Sequence, residues 1–149
     1  MELACNVYRI PQGWIIIAQT KDEDWIWREH NEYDFIRNNE KLRLVESIKK
    51  ALNSSNKSPY TNRSAQKQAY IIDLNFKSEK NFNKLAKLYR LTLKEDTIEL
   101  VQHKLYSLVN SSLGFTPDKS ELFKFNLNQQ EDFKKLIEGL WEMGDERSC

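Results

Sequence analysis

The start of the chain predicts a β-hairpin, and this hairpin constrains the rest of the fold. Residues 5–10 roughly alternate apolar and polar side chains, and residues 14–18 form an apolar run rich in isoleucine. The sequence Pro-Gln-Gly at 11–13 is typical of a turn between two strands. Because the isoleucine run has no polar face, we expect its strand to be buried on both sides of a sheet.

A helix and then an exposed loop are expected before the middle of the chain. The helix is predicted to end near Leu52, because apolar residues recur at a spacing of three to four in its second half. Residues 53–68 are polar, carry three basic and no acidic side chains, and contain Pro59. This composition favours a long exposed loop. The apolar positions of the predicted helix are Phe35, Leu42, Val45, Ile48 and Leu52.

Two strand–helix units are predicted in the second half, 51 residues apart. Residues 71–76 read as a strand, followed by a helix that Ser78 caps. Residues 122–127 read as a second strand, and Asn128 with Glu131 resembles a capping box for a final helix. The likeness of the units has two explanations that stay open here: an internal repeat, or the general similarity of strand–turn–helix units.

The segment between these units has two interpretations. Residues 96–99 (Asp-Thr-Ile-Glu) resemble a capping box, which predicts a helix that ends near Gly114. The competing interpretation is a strand over residues 97–101. With the helix, the order is β-β-α-β-α-α-β-α. This order predicts one α+β domain over residues 1–149, an α/β sandwich in which about four helices cover a mixed sheet of about four strands.

Composition excludes several classes of function. The 23 basic and 22 acidic residues give a net charge of +1, which argues against a dedicated nucleic-acid-binding protein. The four glycines form no phosphate-binding loop. No apolar run approaches the roughly 20 residues that span a bilayer, and no secretion signal is recognisable. We therefore expect a cytoplasmic protein that does not interact with membranes.

Neither histidines nor cysteines predict a reaction or a metal site. His30 lies among carboxylates and could act as a base or a ligand, but no second histidine is near it in sequence. His103 is expected on the solvent side of its predicted helix. Cys5 and Cys149 stand at opposite ends and match no zinc spacing. We expect no enzyme, no catalytic residue, no metal and no cofactor.

A series of basic residues supplies one alternative function. Lys77, Lys80, Lys84, Lys87 and Arg90 recur at three to four residues, which would place them on one face of a helix. Such a face is usually only solvated. The functional alternative is a stripe that follows phosphates, in a small protein that acts on nucleic acid.

The strongest local signal is the segment 22–34, which combines six acidic residues with several aromatic ones. In a strand, Trp25 and Trp27 share a face and Ile26 points into the core. Aromatic anchors among acids suit a surface that binds a basic partner. The alternative is that the tryptophans belong to the core and the acids to a solvated loop. The predicted partner-binding residues are Asp22, Glu23, Asp24, Trp25, Trp27, Glu29, Glu32, Tyr33 and Asp34.

Segment 22–34, the size of the chain and its α/β layout resemble the immunity proteins that bacteria make against polymorphic toxins, such as those of contact-dependent growth inhibition. The resemblance implies that the chain binds a cognate toxin, often a nuclease, and neutralises it by steric and electrostatic occlusion. The acids would then replace the phosphates of the toxin's substrate. The other open alternative is a subunit of an obligate assembly, with the tryptophans in a self-interface.

Overall fold

A computed structural model describes residues 2–30, 32–57, 69–95, 97–107, 113–126, 135–136 and 138–139. Within these residues the chain forms seven strands and three helices, and residues 135–136 and 138–139 are also helical. The strands are β1 (Glu2–Ile10), β2 (Gly13–Lys21), β3 (Trp27–Glu29), β4 (Asp34–Arg37), β5 (Lys87–Lys94), β6 (Thr97–Ser107) and β7 (Leu113–Asn126). The helices are α1 (Lys41–Ser54), α2 (Ala69–Asp73) and α3 (Glu79–Leu85).

All the described strands join one antiparallel sheet. The order across the sheet is β3-β2-β1-β5-β6-β7, and β4 also pairs with β2. The two short strands β3 and β4 thus share the edge of β2 that faces away from β1. β3 pairs with residues 19–21 at one end of that edge, and β4 pairs with residues 13–16 at the other.

The predicted hairpin is confirmed as β1 and β2. Pro11 and Gln12 form its exposed turn, and Tyr8 pairs directly with Ile15. Gly13 begins β2 with φ of 157°, and a Cβ atom there would lie 2.1 Å from the carbonyl oxygen of Ile36 in the neighbouring β4. A glycine is therefore required where β4 approaches the turn.

Helices cover both faces of the sheet near β1 and β2. On one face, Val7 and Ile16 pack against Leu44 and Ile48 of α1. The opposite face is covered by α2 and α3, and it is lined by Tyr8, Ile15, Tyr70, Ile71 and Phe82. Both faces of β2 are consequently buried, as the isoleucine run predicted.

The two residues that follow α1 form hydrogen bonds to the ends of β1 and β2. Ser55 is fully buried, accepts a hydrogen bond from the Ala4 amide at 2.8 Å, and donates one to the Gln19 carbonyl at 2.7 Å. Asn56 accepts from the Lys21 amide at 2.9 Å and donates to the Glu2 carbonyl at 2.8 Å. Ser55 thus bridges the last backbone pair of β1 and β2, Ala4 with Gln19, and Asn56 connects the two strands beyond it.

The predicted fold class is wrong. The structure is mostly an antiparallel sheet with three short helices in the described part of the chain, not a mixed sheet of about four strands covered by about four helices. The strands were undercounted because β5 and β6 lie within segments that the sequence assigned to helices. The predicted strand 122–127 is confirmed over residues 122–126, which form the end of the longer strand β7; residue 127 lies outside the described residues.

The predicted strand at 71–76 is also wrong, because residues 69–73 form α2. Tyr70 and Ile71 are buried against Phe82, whereas Ile72 is 61% exposed. One-sided burial therefore outweighs the β-branched character of this stretch. Since residues 122–126 are a strand, the two units are not a repeat in structure.

The second interpretation of residues 97–101 is the correct one. These residues begin β6, in which Ile98 and Leu100 are buried and Glu99 between them is partly exposed. His103 is therefore a strand residue. Of the predicted final helix, only residues 135–136 and 138–139 are described; Cys149 lies outside the described residues.

The lysine series does not form a helix face. Ser78 caps α3 as predicted, because its Oγ accepts from the Asn81 amide at 3.0 Å, but the helix ends at Leu85. Lys87 and Arg90 belong to β5. A spacing of three to four residues places side chains on one face only within a single helix. Because the series runs from a helix into a strand, the predicted stripe along phosphates is not formed as a helix face.

The first predicted helix begins later than expected. Phe35 lies in β4, and Leu42 is 85% exposed on α1. The buried face of α1 carries Leu44 and Ile48 together with Leu52. In the predicted exposed loop over residues 53–68, residues 53 and 54 belong to α1, Ser55 is buried, and residues 58–68 lie outside the described ones.

Candidate functional site

Segment 22–34 is divided between a surface turn and the edge of the sheet. Residues 22–26 form a tight turn, in which the Asp22 amide donates to the Ile26 carbonyl at 2.9 Å and the Trp25 amide donates to the Asp22 carbonyl at 3.1 Å. The chain then enters β3, leaves it near His30 and continues into β4. The predicted binding residues therefore have different surroundings.

Asp22 holds the 22–26 turn together. Its Oδ1 accepts hydrogen bonds from the amides of Asp24 at 2.8 Å and Ile26 at 3.0 Å, and its Oδ2 accepts from Arg28 Nε at 2.8 Å. The hydrogen bond from Arg28, supported by the one from Ile26, lowers the pKa of this carboxyl below its usual range. Asp22 is thus engaged within the protein, although the sequence groups it with Glu23 and Asp24.

Trp25 stands at the tip of the turn. Its φ is 64°, a left-handed conformation that is unusual for a bulky residue, and it is 79% exposed. Glu23 and Asp24 beside it are exposed as well. Ile26 is 47% exposed, so the prediction that it points into the core is wrong, because residues 22–26 are a turn and not a strand.

The Lys21 ammonium lies over the rings of both tryptophans. It is 5.4 Å from the centre of the Trp25 ring and 5.1 Å from that of Trp27. The carboxylate of Glu2 is 3.9 Å from the same ammonium. An open cleft of about 540 Å³ adjoins this group and is lined by Glu2, Thr20, Lys21, Trp25 and Asn56. We call Lys21, Trp25 and Trp27 the cation clamp.

Glu29 is buried and cannot be a surface acid. It is 3% exposed, and its carboxylate accepts hydrogen bonds from Asn6 Nδ2 at 2.8 Å, from the Tyr8 hydroxyl, and from the Tyr70 hydroxyl at 2.9 Å. Burial and the charge of Glu29 raise the pKa of Tyr70 well above 10. The sequence predicted that Glu29 binds a partner protein. A buried carboxylate is not available for such a contact.

His30 is also largely buried, at 5% exposure. Its Nε2 lies 2.7 Å from Thr20 Oγ1. Burial lowers the pKa of His30 below 6.5, against the opposing effects of a hydrogen bond to the Gln19 backbone and the charge of Glu32. The ring therefore favours its neutral form.

A cavity of about 310 Å³ opens between β2, residues 30 and 32–34, and α1. On its wall, Asp34 accepts a hydrogen bond from Ser47 Oγ at 2.8 Å and lies 3.7 Å from Lys50 Nζ. Tyr33 donates its hydroxyl proton to Asp73 at 2.7 Å, and burial together with this bond raises its pKa to about 12. The polar residues that line the cavity are His30, Glu32, Tyr33, Asp34, Ser47, Lys50 and Ser54.

The structure thus sorts the nine predicted residues into three groups. The first group lies at the turn and the start of β3, and it consists of Asp22, Glu23, Asp24, Trp25 and Trp27. The second group lines the cavity and consists of Glu32, Tyr33 and Asp34. Glu29 alone is interior. Sequence reasoning missed Lys21 and Glu2. Lys21 could have been found by extending the alternation of β2 from Ile17 and Gln19, which places it on the face that Trp27 shares.

The described residues offer no cluster of three or more His, Cys, Asp or Glu side chains that could hold a metal ion. Burial raises the pKa of the Cys5 thiol to about 12, so this thiol is not a nucleophile at neutral pH. None of the helices in the described part of the chain is long and apolar enough to cross a membrane.

Comparisons with known proteins connect the chain only through its fold. No protein-family model matches it, and no curated protein matches it. A solved protein of unknown function from Neisseria meningitidis is similar over 99% of this chain and 95% of its own, with a TM-score of 0.69 and 8% identity.

A chain of the CdiA-CT/CdiI toxin and immunity complex from Yersinia pseudotuberculosis is similar over 69% of this chain and 74% of its own. The TM-score is 0.52 and the identity 11%. These likenesses are of fold. Where the structures correspond, they share an architecture that no local motif of this sequence predicted.

Proposed function

We propose that this chain is an immunity protein that binds a cognate bacterial toxin and neutralises it. The observation that carries the proposal is the fold likeness to a chain of a toxin and immunity complex. The surface of the 22–26 turn supports it independently. An exposed tryptophan on a turn fixed by hydrogen bonds, with exposed acids beside it, has the composition of a binding hot spot.

The proposed mechanism is blockade without chemistry by this chain. Trp25 supplies apolar area, since it is 79% exposed and its turn is already ordered. Glu23 and Asp24 provide the negative charge that accelerates encounter with a basic surface and fixes the orientation of the complex. If the toxin is a nuclease, its phosphate-binding basic residues are the complementary surface.

The test is a growth-rescue experiment. Any toxin domain that the genes adjoining the gene of this chain encode is expressed alone, with this chain, and with an unrelated immunity protein. We expect growth to be restored only by this chain, and the purified toxin and chain to form a one-to-one complex.

Two results contradict the proposal. One is unchanged killing by the neighbouring toxin when this chain is present. The other is growth arrest by this chain alone, which would place it on the toxin side of such a pair. A chain that forms a stable homodimer through Trp25 and binds no toxin would instead support the self-assembly alternative.

Charge reversal locates the interface. We expect Glu23→Lys to slow association with the toxin by about two- to fivefold at low ionic strength, with a smaller change in dissociation. The control with the same change in net charge is Glu46→Lys, which reverses an exposed acid on α1. Equal association rates for the two variants in surface-binding kinetics would remove the turn from the interface.

A further inference from the structure

The cation clamp is a two-walled aromatic site around a positive charge. Trp27 lies directly opposite Lys21 in the pairing of β2 with β3, and Trp25 approaches the same ammonium from the turn. The face of an indole ring carries partial negative charge and attracts a cation within about 6 Å of its centre. Both rings satisfy that distance.

The second wall exists because the turn is fixed. The three hydrogen bonds to the Asp22 carboxylate hold residues 22–28 in place. They keep Trp25 in its left-handed conformation with most of its surface exposed to solvent. A bulky residue keeps such a conformation only where its surroundings determine it.

One carboxylate pairs with the lysine of the clamp, and two exposed acids lie on the turn that carries Trp25. Glu2 lies 3.9 Å from the Lys21 ammonium and 4.0 Å from that of Lys94, so it is shared between two lysines. Glu23 and Asp24 are exposed on the turn. The cleft that adjoins the clamp is open to solvent, so a second cation can reach Trp25 from that side.

We propose that Trp25 and Trp27 form a binding site for a lysine or arginine side chain of the partner protein, and that Lys21 occupies this site in the free chain. The source of the cation rests on the proposed function; the site itself does not. Lys21 has a long, flexible side chain that is 29% exposed, so it can withdraw into the cleft when another cation takes its place. Glu2 then pairs with either cation.

The site can be tested without any toxin. Tetramethylammonium is titrated into the protein and the indole N–H signals are followed by NMR, with tert-butanol as a neutral molecule of the same shape. Lys21→Ala empties the clamp. Lys94→Ala is the matched control, because it also removes a lysine from Glu2.

We expect Lys21→Ala to bind tetramethylammonium about two- to fivefold more tightly than the unaltered protein, and Lys94→Ala to bind it like the unaltered protein. Adding Trp25→Leu to Lys21→Ala should abolish the response. In the unaltered protein, the ring currents of the two tryptophans should shift the NMR signals of the Lys21 methylene protons upfield. This measurement requires no substitution.

Equal binding of tert-butanol, or equal affinity in the Lys21→Ala and Lys94→Ala variants, overturns the cation site. The toxin complex tests the source of the cation: Lys21→Ala should tighten it and Lys94→Ala should not. If Lys21→Ala binds tetramethylammonium more tightly but its affinity for the toxin is unchanged, the site does not take a side chain of the partner protein. Failure of growth rescue with intact probe binding overturns the proposed function and leaves the cation site standing.

Discussion

Asp22 and Glu23 are adjacent acids, and only the fold distinguishes them. The Asp22 carboxylate accepts three hydrogen bonds within the turn, whereas Glu23 is exposed. The sequence predicted a cluster of acids with aromatic residues at 22–34, and the structure places most of them on the surface. The sequence alone could not show that Asp22 and Glu29 differ from the other acids. Their hydrogen-bond partners are set by the conformation of the turn and by the pairing of the strands.

Removing the Asp22 carboxylate should loosen the turn without unfolding the protein. We expect Asp22→Ala to increase amide hydrogen exchange at Asp24 and Ile26 and to remove the upfield shift of the Lys21 methylene protons. Asp24→Ala keeps the Asp22 acceptors and is the control. If both variants exchange alike by NMR, Asp22 does not organise the turn.

His30 should make stability depend on pH. Since burial lowers its pKa in the folded state below 6.5, the unfolded chain binds the proton more readily. The His30 contribution is therefore fully present above about pH 6.5 and is lost as the pH falls through the lower folded-state value. His30→Gln should flatten the change in melting temperature between pH 7 and pH 5. An unchanged slope in this variant would assign the effect to other groups.

At the scale of elements, the sequence predicted a strand or a helix correctly where the local pattern of residues is enough to determine it. The isoleucine run predicted β2, and Ser78 predicted the start of α3. The predicted strand at 71–76 and the helix interpretation of residues 97–107 were wrong, because short apolar stretches suit either a helix or a strand. What decides them is contact with distant residues: Ile71 packs near Phe82, and Leu100 pairs with Leu91.

The hairpin should depend on Gly13. We expect Gly13→Ala to destabilise the protein by more than about 1 kcal/mol, because the new Cβ would press on the backbone of β4 and require it to shift. Gln12→Ala at the exposed turn position is the control. Urea unfolding gives both free energies, and a neutral Gly13→Ala would contradict the close approach of β4.

At the scale of the whole molecule, one buried carboxylate joins three elements. Glu29 in β3 accepts hydrogen bonds from Tyr8 in β1 and from Tyr70 in α2. The spacing of these residues in the sequence does not predict the cluster, because residues 8, 29 and 70 are brought together only by the order of the strands and the packing of α2. The same dependence on long-range pairing explains why the sequence missed the antiparallel architecture although it predicted the first two strands.

The buried bond from Tyr70 should matter more than a similar bond at the surface. We expect Tyr70→Phe to lower the free energy of unfolding by about 1.5–3 kcal/mol, because Glu29 loses a hydrogen bond in the interior. Tyr33→Phe removes a hydroxyl that binds the exposed Asp73, and it should cost less than about 1 kcal/mol. Equal losses in urea unfolding would contradict a stabilising role for the Glu29 cluster.

The attachment of Ser55 and Asn56 to the strand ends has a consequence for the entropy of association. It fixes the backbone of Lys21 and Glu2 at the base of the cation clamp, while Asp22 fixes the turn above. A partner that engages this surface then needs to order little more than the Lys21 side chain, instead of a whole loop. Preorganisation of this kind lowers the cost of binding and lengthens the lifetime of a complex, since few internal motions compete with the bound state.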